Sequence, residues 1–323
     1  MKRLYTPFKV NKLELKNRVI MSPMSIGHTV DGFIMDDVVE FYKRRAQGGV
    51  GLIIFANMQW DKLRYNPNHG AMLTDEKYIP SLKKLTDAIH EGGSKVFAQL
   101  MHRGRCANRA SIQGEQAVAP SPIPGRFTHF EMPKELTVEE IKEFVDWQAE
   151  AAVIAKKAGF DGIEIETNSG YLYGQFFSPL TNHRTDEYGG DLDGRMRFLK
   201  ELIAISKEVG GADFPVIVKY CPDHYLPAEE GYRGIEEGLE LTRKLIECGV
   251  DALHVDAGSH DSWYLAMPPD YIQEMTLQAR SAKAVKEIST VPVLTHGRYS
   301  DVEKGESVLR HGVCDFTVIG RGL

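Results

Sequence analysis

The sequence predicts an α/β fold, a (β/α)8 TIM barrel, on three observations. Eight short apolar or β-branched runs recur along the 323 residues: Arg18–Ser22, Val50–Ala56, Lys95–Leu100, Gly162–Ile165, Val216–Tyr220, Ala252–Val255, Val291–Thr295 and Asp315–Ile319. Segments of helical period separate them and no strands stand in a block, which is the alternation of a parallel sheet. The run Gly162–Ile165 passes directly into a polar loop headed by a carboxylate, Glu166, and a phenol, Tyr171. Barrels of this kind build active sites at such strand ends.

Each element follows in order. F-K-V-N-K-L-E-L-K-N-R-V, residues 8–19, reads as an N-terminal β-hairpin with Asn11-Lys12 near its turn, expected to plug the barrel floor. Val38, Val39, Phe41 and Tyr42 mark the first helix, over 38–46; Ile79, Leu82, Leu85 and Ile89 mark the second, over 78–90. Residues 101–135, rich in Gly, Pro and Ser, are too long for a plain connection and are expected to form a lid after strand 3. T-V-E-E opens the next helix as a capping box, with Thr137 as N-cap and Glu140 completing it. Later helices fit 195–209, 235–248, 277–288 and 302–311. Eight repeats at this length favour a closed barrel over an open doubly wound sheet, and the lack of a fixed period excludes a solenoid.

The formal net charge of −6, with basic residues scattered, argues against nucleic acid or an anionic membrane as a partner. No apolar run reaches the ~18 residues of a spanning helix, and the start M-K-R-L-Y-T-P-F lacks the apolar core of a signal peptide. Cys106, Cys221, Cys248 and Cys314 lie far apart, so neither a disulfide framework nor a cysteine cluster is expected. Cytoplasmic residence is the default. Residues 1–323 make one domain. The chain stops at G-R-G-L just after strand 8, where a barrel ordinarily adds a helix, so a fragment of a longer polypeptide is expected.

The motifs resemble the old yellow enzyme family of flavin-dependent oxidoreductases, nearest its branch of 2,4-dienoyl-CoA reductases, enoate-reductase-like proteins and trimethylamine dehydrogenase. The resemblance rests on L-Y-T-P-F-K-V-N-K-L-E-L-K-N-R-V-I-M-S-P-M at 4–24, A-Q-L-M-H-R-G-R at 98–105, G-Y-L-Y-G-Q-F-F-S-P at 170–179, T-N-H-R-T-D-E-Y-G-G at 181–190, and the terminal H-G-R and I-G-R. It implies FMN on the carboxyl-end face of the barrel. Pro23 and Met24 would lie beside the isoalloxazine and Ala56 below it. Gln99 would meet the pyrimidine edge, and Lys219 would lend positive charge where the reduced flavin gathers negative charge. The phosphate would sit among Gly297, Arg298, Gly320 and Arg321. Each of these Gly-Arg pairs follows a strand, and barrels commonly bind phosphate after strands 7 and 8. Read singly, the glycines could be turn formers and the arginines surface charges.

Tyr171 matches the family's proton donor, and the other reading is a core tyrosine with a satisfied hydroxyl. His260, in V-D-A-G-S-H-D after strand 6, matches a histidine that assists the tyrosine in dienoyl-CoA reductases; a solvated loop histidine is the plain alternative. Glu166 and Ser169 stand where much of the family has a donor pair that grips the substrate carbonyl. Glu166 is therefore either protonated and donating, or ionised toward a cationic substrate, or paired with an arginine of the following loop. His102, Arg103 and Arg105 either meet substrate or flavin, or pack the lid. Asn182, Arg184 and Asp186 read as braces of the loop after strand 4. Trp263, Tyr264, Pro268 and Pro269 either wall the pocket or cover the rim.

The expected activity is an FMN-dependent ene-reductase that takes electrons from NADH or NADPH, or through a partner domain. It would reduce an α,β-unsaturated or dienoyl carbonyl compound, with a CoA thioester among the candidates. Rivals are a trimethylamine-dehydrogenase-like amine dehydrogenase or demethylase and a flavin-free phosphate-binding lyase or isomerase. A 4Fe-4S cluster and FAD are expected only in a C-terminal part beyond this chain. The sequence leaves homo-oligomerisation open.

Overall fold

All eight predicted runs become strands of one closed parallel barrel. The computed structural model describes residues 2–323 apart from 27–28, 126–130, 169, 260–261 and 263–274. The barrel strands are Val19–Met21 (β1), Leu52–Gln59 (β2), Lys95–Leu100 (β3), Gly162–Glu166 (β4), Val216–Tyr220 (β5), Ala252–Val255 (β6), Val293–His296 (β7) and Phe316–Ile319 (β8). Each pairs parallel with the next, and β8 pairs with β1 to close the ring. The helices that cover it are Asp36–Gln47 (α1), Ile79–Glu91 (α2), Val138–Lys157 (α3), Leu172–Phe177 (α4), Leu192–Gly210 (α5), Ile235–Glu247 (α6), Leu277–Ile288 (α7) and Val302–Arg310 (α8). The predicted capping box forms at the start of α3: the Glu140 N–H donates to the Thr137 hydroxyl at 3.2 Å, and the Thr137 N–H donates to the Glu140 carboxylate at 3.0 Å.

The N-terminal hairpin forms as expected, Phe8–Val10 against Leu13–Leu15, with Asn11 in the left-handed region at φ 54°. Its Val10 and Leu15 join the barrel interior beside Ile20, Leu52, Phe97, Ile217, Ala252, Leu294 and Phe316. Each buried side chain of this kind contributes about 1.5–3 kcal/mol, so the floor is sealed by apolar burial. Alternate residues of a strand face the same side. One alternation above Phe97, Ile217, Ala252 and Leu294 stand Gln99, Lys219, His254 and His296. The interior thus changes from apolar at the floor to ionisable at the carboxyl-end rim.

One stretch departs from expectation. The stretch after β4 is not wholly a polar loop, since it contains α4, whose six residues are all buried. The described residues of the expected lid, 101–135, are tied to the body of the barrel. Val118–Ala119 pairs parallel with Lys134–Glu135, and the Arg184 guanidinium donates to the Pro120 and Leu136 carbonyls while pairing with Asp186. Asn182 donates to the carbonyls of Phe176 and Tyr188, both at 2.8 Å. The bracing role expected of Asn182, Arg184 and Asp186 is what the structure shows. No helix among the described residues is long and apolar enough to cross a membrane.

Candidate active site

The carboxyl ends of β2 to β6 surround a cleft of about 590 Å³. Gln99, Glu166, Tyr171, Lys219 and Ala56, all expected at the flavin or the substrate, line it together. A bulge in β2 helps to shape it. The register against β3 shifts between Phe55 and Met58, and Asn57 takes φ 67° there and turns into the cleft. Bulges next to sites re-aim side chains in this way.

A charge network forms the cleft floor. Lys219 Nζ lies 3.1 Å from Glu166 and 3.4 Å from Asp256. Glu166 also accepts from the Gln99 amide at 2.8 Å and from the Asn168 backbone N–H at 2.8 Å. Every one of these contacts is a donor, so a protonated Glu166 would have no acceptor among them; the carboxylate form is the one this geometry serves, although burial pushes its pKa up. The partner is Lys219 and not an arginine of the following loop, which corrects that expectation. Burial would lower the Lys219 pKa, but Glu166, Asp256 and Glu164 outweigh it and keep the amine charged. Burial would likewise raise Asp256, but His296, 2.9 Å away, and Lys219 hold its carboxyl far below the usual range. Burial, then the Glu166 charge, raises the Tyr171 phenol above its ordinary value.

A second cleft, of about 520 Å³, opens beyond the ends of β7 and β8 and is lined by Gly297, Arg298, Gly320 and Arg321. A Cβ on Gly297 would come within 2.5 Å of the Thr276 hydroxyl, so a side chain there would crowd this wall. Arg298 takes φ 66°, a left-handed backbone that a non-glycine residue adopts at a cost of about 1–2 kcal/mol. His296 lines this second cleft and reaches Asp256 in the first, so the two adjoin. Among the described residues, three buried polar atoms at these clefts have no hydrogen-bond partner: Asn57 Oδ1 and Asn168 Oδ1 at the first, and His296 Nδ1 at the second. A ligand with a polar ring at one end and a phosphate at the other fits this pair of clefts and these orphaned atoms.

Other expected residues fall elsewhere. Met24 lines the second cleft, not the first; Ser25 takes the position beside the first, and Pro23 is among the lining residues of neither. The Gln99 amide nitrogen is occupied by Glu164 at 2.9 Å and Glu166, leaving its carbonyl end for a ligand. His260, Ser169, Trp263, Tyr264, Pro268 and Pro269 lie outside the described residues.

His102 packs the lid base. Its ring meets the Asp61 carboxylate at 2.9 Å in a fully buried pair. Burial opposes ionisation of Asp61, but the His102 hydrogen bond and the Leu63 and Arg64 N–H groups bring it down from 3.8 to about 2. A depressed carboxyl stabilises above its unfolded value and loses that contribution as the pH falls through its folded one. Asp61→Asn should therefore lower stability at neutral pH by about 1–3 kcal/mol. Urea unfolding should show the difference shrinking between the two pKa values, 3.8 and about 2.

Sequence reasoning missed Asp256, Asn168, Glu164, His254 and His296. Glu164 is buried and meets His254 at 2.7 Å beneath the cleft. Strand parity could have found four of the five, because Glu164, His254, Asp256 and His296 share the alternation of the interior residues.

The family model described as NADH:flavin oxidoreductase / NADH oxidase matches residues 3–323. The chain is 39% identical to a metal reductase of Desulforamulus reducens, over 99% of the chain and 47% of that protein. It is 38% identical to a cinnamate reductase of Clostridium sporogenes, over 100% of the chain and 51% of that protein. A solved 2-naphthoyl-CoA reductase complex superposes with a TM-score of 0.90 at 25% identity, over 99% of this chain and 50% of that one. The chain thus spans about half the length of these relatives. Its full-length match to the family model, the barrel and the two adjoining clefts agree: the chain belongs to the NADH:flavin oxidoreductase / NADH oxidase family, the old yellow enzymes.

Proposed function

We propose that this chain is the FMN-binding barrel of an ene-reductase acting on α,β-unsaturated or dienoyl carbonyl compounds, with NADH or NADPH as the electron source. The observation that carries the reading is the meeting of Tyr171, Gln99, Glu166 and Lys219 in one cleft that adjoins a second cleft built from two Gly-Arg turns. Bound flavin would supply the hydride for the alkene. The chain's own residues do the rest. Tyr171 holds a proton in a half-buried phenol and can deliver it to the carbon beside the carbonyl. Lys219 and Arg103 favour the phenolate left behind, which water can reprotonate. Arg298 and Arg321, with the backbone of Gly297 and Gly320, would hold the phosphate by charge-assisted hydrogen bonds. His260 would assist Tyr171 as the family resemblance implies.

Replacing both arginines, Arg298→Ala with Arg321→Ala, should weaken FMN binding by about 1.5 kcal/mol or more, roughly tenfold. Fluorescence titration of the flavin-free protein measures it.

The amine-dehydrogenase reading draws on Glu166, with Trp263 and Tyr264, as a cradle for an ammonium group, yet Glu166 is already paired with Lys219. A flavin-free lyase does not suit a member of a flavin family. The decisive experiment reduces the purified flavoprotein anaerobically and adds cyclohexenone or cinnamate, and in a separate arm adds an N-methyl amine to the oxidised protein. Reoxidation by a conjugated alkene supports the proposal. Failure of every alkene, with N-methyl amines instead bleaching the oxidised flavin, would replace it with the amine reading.

A further inference from the structure

We propose that this cleft takes its unsaturated substrate as a free carboxylate, anchored by the guanidinium of Arg103. The inference rests on the ene-reductase reading and goes further by naming the substrate's charge and the group that meets it.

Arg103 follows β3 at the base of the lid, and its backbone is pinned from both sides. The His102 carbonyl accepts from the Leu172 N–H at 2.9 Å, and the Gly104 N–H donates to the His102 ring at 2.9 Å. Gln175 grips the same turn. Its amide donates to the Arg103 carbonyl at 3.2 Å, and its oxygen accepts from the Arg105 N–H at 3.2 Å. Gly104, at φ 55°, makes this close approach feasible, since a Cβ there would lie 2.5 Å from the Gln175 oxygen. The neighbouring arginines spend their guanidinium groups on the lid itself. Arg105 donates to the Pro124 carbonyl at 3.3 Å, and Arg109 donates to the Gly114 carbonyl at 3.2 Å. Arg103 lines the first cleft, and among the described residues its guanidinium has no hydrogen-bond or ion-pair partner. A side chain on a clamped backbone, half-buried and uncommitted, is preorganised for a ligand.

The rest of the cleft selects the sign and the position of that ligand. Lys219 is neutralised by Glu166 and Asp256, so among the described lining residues Arg103 is the unpaired guanidinium or ammonium left to meet an anion. The two carboxylates repel a substrate carboxylate from the floor and so favour the lid side, where Arg103 stands. A neutral carbonyl has less to hold it, because the Glu166 carboxylate occupies one position of the donor pair and cannot donate. Tyr171 lines the same wall and feels the charges of both Glu166 and Arg103.

The chemistry also favours a guanidinium. Hydride addition at the β-carbon of an enoate breaks the C=C π bond and pushes its electron pair onto the α-carbon and the carboxylate. The result is an ene-diolate with two negative charges. The Arg103 fork can bind both oxygens and offset that charge as it develops. Tyr171 then forms the α C–H bond with its proton, and water restores the phenol. The two electrons come from a nicotinamide by way of the flavin.

The test uses the flavin-loaded protein and two saturated probes that cannot react, hydrocinnamate and its neutral amide. Each is titrated by its perturbation of flavin absorbance. Wild type should bind the carboxylate roughly ten- to a hundredfold more tightly than the amide, with the preference falling as salt rises. Arg103→Gln should erase the preference and leave amide affinity and flavin content unchanged, and Arg103→Lys should restore part of it. In turnover, Arg103→Gln should raise the KM for cinnamate far more than that for cyclohexenone. Equal effects of Arg103→Gln on both probes, or a wild-type protein indifferent to charge and salt, would overturn the proposal even if a variant folds poorly. Reduction of cinnamoyl-CoA with cinnamate ignored would overturn it in favour of a thioester. Reduction of cyclohexenone with no binding of either carboxylate sinks the Arg103 role and spares the ene-reductase reading. If no conjugated alkene is reduced at all, that reading fails first.

Discussion

Tyr171→Phe should slow reduction of every conjugated alkene by about 10²–10⁴-fold while flavin reduction by NADH or NADPH keeps its wild-type rate. The phenol lines the cleft and is half-buried, and burial with the Glu166 charge beside it raises its pKa. A raised phenol stays protonated through neutral pH, so the acid needed at the substrate α-carbon is present wherever the enzyme would work. The sign follows: activity attributable to this group should hold steady up to the ordinary tyrosine value of 10.0 and decline only above it. Phe keeps the ring and removes only the hydroxyl, so its effect should fall on one half-reaction. Anaerobic rapid mixing separates the two. Equal losses in both halves, or none in either, would make Tyr171 a structural residue of the wall and pass the proton to another group.

Lys219→Met should be the most damaging single change to the fold of the rim. It removes the cation that bridges Glu166 and Asp256 and leaves both carboxylates buried beside Glu164. Breaking a buried ion pair from one side costs about 3–5 kcal/mol, and flavin content should fall with it. In wild type the depressed Asp256 carboxyl stabilises above its unfolded pKa and loses that contribution as the pH falls. In Lys219→Met the Lys219 share of that contribution is gone while His296 still holds Asp256, and protonation relieves the stranded Glu166 charge, so the gap should narrow toward acid. Adding Glu166→Gln to Lys219→Met should recover part of the loss, which urea unfolding of the four-member cycle measures. A Lys219→Met protein as stable and as yellow as wild type would mean that the network contributes nothing.

The two variants draw on different parts of the chain's information. Tyr171 was legible because G-Y-L follows a strand end, and a strand end is a local pattern. The role of Lys219 was only half legible. Its place at the top of β5 could be read, but its partners are separated from it by 53 residues in one direction and come from β6 in the other. Glu166 shows the same limit. Its departure from a donor pair was plain in the letters, while its pairing with a lysine rather than a loop arginine depends on which strands are neighbours. Helix α4 was missed because all six of its residues are buried. With no polar face there is no helical period to read, and packing alone folds it.

By itself the sequence determined the strand–helix alternation, the hairpin that seals the floor, the capping box at Thr137 and the two Gly-Arg turns. Each is a contest among near neighbours over backbone hydrogen bonds and apolar periodicity, and near neighbours are adjacent in the letters. Only the tertiary structure decided that Glu166, Asp256 and Lys219 share one buried charge balance, that Asp61 holds His102 at the lid base, and that Arg103 faces the cleft uncommitted. Those outcomes turn on Coulomb energy and desolvation among groups from different strands. Closing the ring sets their distances, and no local pattern carries that information.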